Sequence, residues 1–241
     1  MKTNADIRQE FVDLYQAEKF VIDKTGVKVV EIINASFCVN EDRIFGEPNQ
    51  DYIARELAWY ESQSLNVNDI PPPVPVIWKK CATPEGFINS NYGWMIYSKE
   101  NGSQYDNVLK TLLKDPFSRR AEMIYTRPSM HVDYNAGGRS DFVCTEAVQY
   151  LIRDNKLHSI VKMRSGDAIF GFLNDYSYQL HVSKKLLADL SAAGSSYELG
   201  PVHWNTGSFH IYERHFFLIE HFIKTGELIS QNKPTTKGET K

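Results

Sequence analysis

Between Ser140 and Tyr178 the chain gathers a soft nucleophile (Cys144), a permanent cation (Arg164), a hydroxyl (Ser165) and the acid and amide groups of Asp167, Asn174 and Asp175. Two strand-like runs, 147–152 and 157–163, lie among them, with the turn-forming Asp154-Asn155-Lys156 between. A hairpin over this stretch returns Cys144 to Arg164 and Ser165. A thiolate is favoured beside a guanidinium, and a nucleophile, a cation and a hydroxyl placed together suit covalent attack on a phosphorylated, electron-poor ring. Free cysteines are more often small buried hydrophobes. That is the role predicted for Cys38 and Cys81, because no comparable motif flanks them.

The elements that must hold this chemistry follow from periodicity. Asn4 is placed to cap a helix carrying Ile7, Phe11, Leu14 and Tyr15, and the turn Asp23-Lys24-Thr25-Gly26 leads into a strand over 27–33. A second helix covers 51–62, with Ile53, Leu57 and Tyr60 on its apolar stripe and Glu56 beside it, a residue most simply read as a solvated charge. Residues 69–75 are proline-rich and must be extended. A helix over 103–113, a strand over 123–126, a buried helix over 175–190, a strand over 202–212 and a helix over 216–225 ending at Gly226 complete the pattern. Residues 1–229 form one domain, and the polar segment 230–241 is expected to be a disordered tail.

Composition narrows the function classes. A formal charge of -3 over 241 residues, with both signs interspersed, offers no general attraction for nucleic acid or an anionic membrane, so phosphate must be bound locally. Three cysteines match neither a disulfide framework nor a paired metal-ligand spacing, and no metal is expected. The N-terminus lacks an apolar signal core and no run is long enough to span a bilayer, which points to the cytoplasm.

Taken in order, Asp23-Lys24-Thr25-Gly26, Arg55-Glu56-Leu57-Ala58-Trp59, Tyr92-Gly93, Ser118-Arg119-Arg120, Cys144, Arg164-Ser165-Gly166-Asp167, Gly171 and His210-Ile211-Tyr212 resemble the thymidylate synthase family over nearly the whole chain. The runs Asn89 to Trp94, Ile124 to Met130 and Tyr150 to Asp154, with Thr145 and Asn174-Asp175-Tyr176, are most similar to its phage-type deoxycytidylate hydroxymethylase branch.

The resemblance implies an α+β fold, a large twisted sheet flanked by helices, in a homodimer packed back to back. It implies that Lys24, Arg164 and Ser165 bind the nucleotide phosphate together with Arg119 and Arg120, which reach across to the other subunit. Lys24 stands where thymidylate synthases usually carry arginine, and supplies a point charge without the planar fork. Cys144 would attack C6 of the pyrimidine, making C5 a carbanion-like centre that takes a one-carbon unit from 5,10-methylenetetrahydrofolate. Asp167 would bind the pterin, although a mid-loop aspartate more commonly caps a turn. Glu56 would manage protons through ordered water, and His210 and Tyr212 would bind the sugar hydroxyl.

The resemblance implies that Asp175 and Asn174 bind the base, and Asp175 stands where dUMP-using members carry asparagine. An ionised carboxylate only accepts hydrogen bonds, which matches the 4-amino group of cytosine. The expected reaction is therefore 5-hydroxymethylation of dCMP, with water rather than hydride completing the transfer. The polar end of the chain, without an apolar residue to seal the site, agrees with that. The competing readings are a thymidylate synthase, a dUMP or CMP hydroxymethylase, or a catalytically idle regulator that binds nucleotide, RNA or replication proteins.

Overall fold

The computed structural model describes residues 1–232. At its centre is the hairpin expected from the sequence, β4 (Thr145–Arg153) and β5 (Lys156–Asp167), paired antiparallel. Asp154 and Asn155 close it with φ of 49° and 61°. These are the left-handed values of a two-residue turn whose twist matches that of the strands, and Asp and Asn tolerate them best after glycine. β5 leads through α7 (Phe170–Ala192) to β6 (Glu198–Tyr212), which lies parallel to β5. β2 (Lys28–Val39) pairs antiparallel with β6, and the short strands β1 (Phe20–Ile22) and β3 (Glu122–Ile124) form the edges of a six-stranded sheet ordered β1-β2-β6-β5-β4-β3.

One face of this sheet carries the core. Alternation along β2, β5 and β6 sends Phe37, Val161, Met163, Trp204 and Phe209 inward, where they meet α7 and α1 (Asn4–Gln16). Phe11, Phe37, Phe172, Trp204 and Phe209 form a chain of ring contacts with centroids 5.2–6.0 Å apart. The opposite face is polar with isolated apolar residues, among them Ile33 (78% exposed) and Ile124 (54%).

Several boundaries differ from the sequence reading for local reasons. Asn4 does not cap α1. Thr3 does, in a reciprocal box with Asp6, while the buried Asn4 amide donates to the carbonyls of Glu41 and Arg43. β2 continues past 33 to Val39, with Asn34 at φ 59°. α7 starts at Phe170, five residues before the predicted start, so Gly171, Asn174 and Asp175 all lie on its first turns. The proline segment is extended as expected, but Pro75 then opens a short helix, α3 (Val76–Cys81), that the sequence did not suggest. Gln231, expected in the tail, is buried and pairs through its side chain with the backbone of Glu47. Residues 233–241, with the rest of that tail and the polar chain end, lie outside the described residues.

Two further helices frame the cleft. α2 (Gln50–Ser62) is capped by Asn49, and α4 (Tyr92–Tyr97) by Asn91, whose amide also donates to the carbonyls of Trp59 and Ser64. That side chain ties the start of α4 to the end of α2. A Cβ on Gly93 would lie 1.7 Å from the Tyr60 carbonyl oxygen, so only glycine permits the approach. Gly93→Ala must push the helices apart and is expected to cost at least the ~1–3 kcal/mol typical of overpacking. Urea unfolding, with loss of activity in parallel, checks this.

Candidate active site

Cys144 and Arg164 are brought together as the hairpin requires. The Arg164 backbone N–H donates to the Cys144 carbonyl at 2.9 Å. Its guanidinium donates through Nε to the Val143 carbonyl (2.9 Å) and through Nη2 to that of Phe142, lies over the Phe142 ring at 4.8 Å, and comes within 3.6 Å of the Cys144 sulfur. The cation thus holds the backbone that presents the nucleophile. The expectation of a ready thiolate needs correction, however. Burial pushes the thiol up to about 11, Arg164 pulls it down, and Asp175 and Asp141 raise it further. Near neutral pH the sulfur is mostly protonated, because loss of hydration outweighs one nearby cation.

Glu56 is 5% exposed and is not the solvated helix charge of the simplest reading. Tyr52 donates to its Oε1, and Trp78 donates to the same oxygen at 3.2 Å. Burial raises Glu56 to about 7 against the pull of those two hydrogen bonds. Asp175 goes further, to about 8, through burial first and the charge of Glu56 second, with a hydrogen bond from Tyr92 acting in the other direction. Burial and the Glu56 charge thus push Asp175 toward the neutral form, which the sequence reading of an ionised carboxylate did not weigh. A neutral carboxyl both donates and accepts.

Asp167 ends β5 opposite His210 of β6. It accepts the Ile169 backbone N–H at 2.8 Å, the turn-capping role open to any aspartate there, and faces Arg214 at 3.5 Å. Gly171 fills the space between the two acids: its Cβ would lie 3.4 Å from that of Asp167 and 3.8 Å from Asp175 Oδ2. Asn174 precedes Asp175 by one helical step and so points about 100° away. His210 and Tyr212 share a face of β6, with ring centroids 4.9 Å apart. Burial raises Tyr212, and the charges of Asp167 and Asp23 add to that. Ser165 follows Arg164 in β5, opposite Ser208.

The turn bearing Lys24 is locked by Asp23, which accepts from the Thr25 hydroxyl and from the N–H groups of Thr25 and Val27. Lys24 is exposed, yet near enough for its charge to act on Cys81. Cys81 is itself close enough to raise Cys144, so it is a neighbour of the site rather than remote packing. Arg119 and Arg120 are different. Both are exposed, and neither guanidinium forms a hydrogen bond or ion pair among the described residues. This single chain does not bring them to Cys144.

Residues 46–234 match the family model described as "Thymidylate synthase". The chain belongs to the thymidylate synthase family. It is 53% identical over 227 residues to the deoxycytidylate 5-hydroxymethyltransferase of Enterobacteria phage T4, covering 93% of this chain and 92% of that protein. A thymidylate synthase of Francisella philomiragia is 30% identical over 174 residues, covering 68% of this chain and 61% of its own length. In fold, the chain is similar to thermostable thymidylate synthase A from Bacillus subtilis, with a TM-score of 0.66 at 21% identity over 89% of this chain and 82% of that one. No helix among the described residues is long and apolar enough to cross a membrane.

Within this thymidylate synthase fold, four residues of the cleft were not singled out as site residues by the sequence: Tyr92, Tyr52, Trp78 and Arg214. Tyr92 stood in a quoted motif, but its contact with Asp175 depends on how α4 meets α7. The expected behaviour of the thiol follows from its burial. Alkylation of Cys144 by iodoacetamide in the free protein should be slow at pH 7 and climb toward a midpoint near 11, well above the ~8.5 of a free cysteine. Peptide mapping by mass spectrometry separates it from Cys38 and Cys81, and Arg164→Ala should move the midpoint still higher.

Proposed function

We infer that this protein is a deoxycytidylate 5-hydroxymethyltransferase, acting on dCMP with 5,10-methylenetetrahydrofolate as one-carbon donor. The observation that carries the reading is a carboxyl, Asp175, on the first turns of α7, one helical turn from Gly171 and within electrostatic reach of Cys144 and Glu56. Near-full-length similarity to phage enzymes of that name supports it. The folate supplies a one-carbon unit at the oxidation level of formaldehyde. Asp167, an acceptor when ionised, and the part-exposed Phe170 ring beside it suit a flat ring bearing N–H donors.

In this reading the phosphate is held by Arg164, Ser165 and Lys24, and by Arg119 and Arg120 of a second subunit. What supports the last pair is that, among the described residues, both guanidinium groups are unengaged and one sheet face carries no helix, the arrangement a back-to-back homodimer needs. His210 and Tyr212 take the sugar hydroxyl. The neutral Asp175 donates its O–H to N3 of cytosine and accepts from the 4-amino group. As Cys144 gives its S–H proton to water and its sulfur bonds to C6, the Asp175 proton moves to N3, the C5–C6 pair becomes nucleophilic at C5, and Asp175 is left ionised. Once C5 has taken the one-carbon unit, its C5–H proton passes through water to Glu56 and on to the departing folate nitrogen, leaving an exocyclic methylene; water then adds to that methylene and gives a proton to Glu56. The electron pair passes into the ring, N3 returns its proton to Asp175, and breaking the C6–S bond restores the C5–C6 double bond and releases the thiolate, which is reprotonated from water.

An amide at 175 has no proton to transfer but can still serve the O4 and N3 edge of uracil. Asp175→Asn should lower kcat/KM for dCMP by about 10²-fold or more and move preference toward dUMP. An unchanged ratio of the two specificity constants would assign base selection elsewhere. The product is tested in ¹⁸O-labelled water: label in 5-hydroxymethyl-dCMP without the absorbance rise of dihydrofolate is the expected result. A methyl product with dihydrofolate would make this a cytosine-using methylating synthase.

A further inference from the structure

Glu56 is not a free carboxylate in a pocket. Tyr52 precedes it by four residues on α2, so the two side chains lie one above the other on one face of the helix. The phenol of Tyr52 donates to Glu56 Oε1 at 2.5 Å. From α3, the indole N–H of Trp78 is shared between the Tyr52 oxygen (3.0 Å) and the same Oε1 (3.2 Å). Both contacts fall on one oxygen of the carboxyl, and no hydrogen bond among the described residues engages Oε2.

The triangle is held from outside. Arg55 bonds Asp51 along the helix, donates to the carbonyls of Pro71 and Pro73, and lies over the Tyr52 ring at 5.3 Å. It thereby ties α2 to the proline segment that ends where α3 begins, while Trp78 packs edge-on against Trp59 of α2 at 5.3 Å. Tyr52 cannot readily surrender its own proton, since burial and the charge of Glu56 both push the phenol far above its ordinary range. It is a fixed donor.

We propose that Tyr52 is the positioning residue for Glu56: its phenol, backed by Trp78, fixes Oε1 and leaves Oε2 as the oxygen that exchanges protons with water in the cleft. The proposal rests on the reading of Glu56 as the proton-handling group. Hydrogen bonds to an ionised carboxylate favour that form, so the Tyr52 hydroxyl opposes the effect of burial. It keeps Glu56 near 7, where both protonation states are populated at working pH.

The test uses Tyr52→Phe, which keeps the ring over which Arg55 lies and removes only the hydroxyl. In the free protein, with glutamate ¹³C-labelled at the carboxyl, the Glu56 resonance should titrate near 7 in the parent and at least about one pH unit higher in the variant, the size expected for loss of a charge-assisted hydrogen bond. Tritium release from C5 of labelled dCMP should fall roughly tenfold in kcat at pH 7 with KM within about twofold, and recover as pH rises past the shifted midpoint. Trp78→Phe should shift the titration in the same direction by less. An unshifted Glu56 titration, or a loss of kcat equal at all pH values in a variant that melts like the parent, would overturn the proposal. Glu56→Gln separates the two readings. If it remains active, the assignment of proton handling to Glu56 fails; if it is inactive while Tyr52→Phe keeps the parent's profile, only the role of Tyr52 fails.

Discussion

A carboxylate taken from water into a protein interior loses hydration worth several kcal/mol unless partners replace it, and here two carboxyls and a thiol share one cleft. Glu56, Asp175 and Cys144 are all raised by burial before any other cause acts. Their mutual influence is unfavourable as well: Glu56 raises Asp175, and Asp175 raises Cys144. The cluster persists because each group can remain protonated when the cleft holds no ligand. In the two carboxyls that same property makes proton donors and acceptors near neutral pH, so the strain of burial and the chemistry have one origin.

Holding such groups near one another requires rigid supports. The hairpin supplies one, since β4 and β5 place Cys144 and Arg164 across a hydrogen-bonded pair and the guanidinium then clasps the carbonyls of Phe142 and Val143. An aromatic cluster supplies the other. Tyr92 stacks on Tyr60 at 5.2 Å and meets Tyr125 and Tyr178 edge-on or tilted at 5.3 and 5.5 Å, locking α2, α4 and α7 to each other. Glu56 and Tyr60 ride on α2, Tyr92 on α4, and Asp175 and Tyr178 on α7. A shift of α2 or α7 would therefore move an acid as well as a ring.

Much of this was legible in the residues. The turn at Asp154-Asn155, the period-two strands on either side and the apolar stripes of α2, α5 (Gln104–Lys114) and α8 (Phe216–Thr225) depend on local sterics and solvent exclusion, which sequence periodicity encodes directly. The short helices α3 and α4 were missed because their stability comes from Pro75 and from the Asn91 amide bridging to another helix, not from any repeat in their own sequence. α7 starts before the sequence places it: Gly171 weakens local helix propensity, while the buried Phe172 and Leu173 anchor that first turn in the core.

The sequence by itself determined which chemical groups are present, their order, and the pairing of Cys144 with Arg164 through a hairpin. Only the tertiary structure decided their protonation. A thiol beside an arginine reads as a thiolate on paper, and an aspartate reads as ionised, because reference values assume water on every side. Burial depends on which helices pack over the site, here α2, α4 and α7 drawn from three distant parts of the chain. Desolvation is a property of that enclosure and outweighs the nearest charge, so it moves both groups toward their neutral forms.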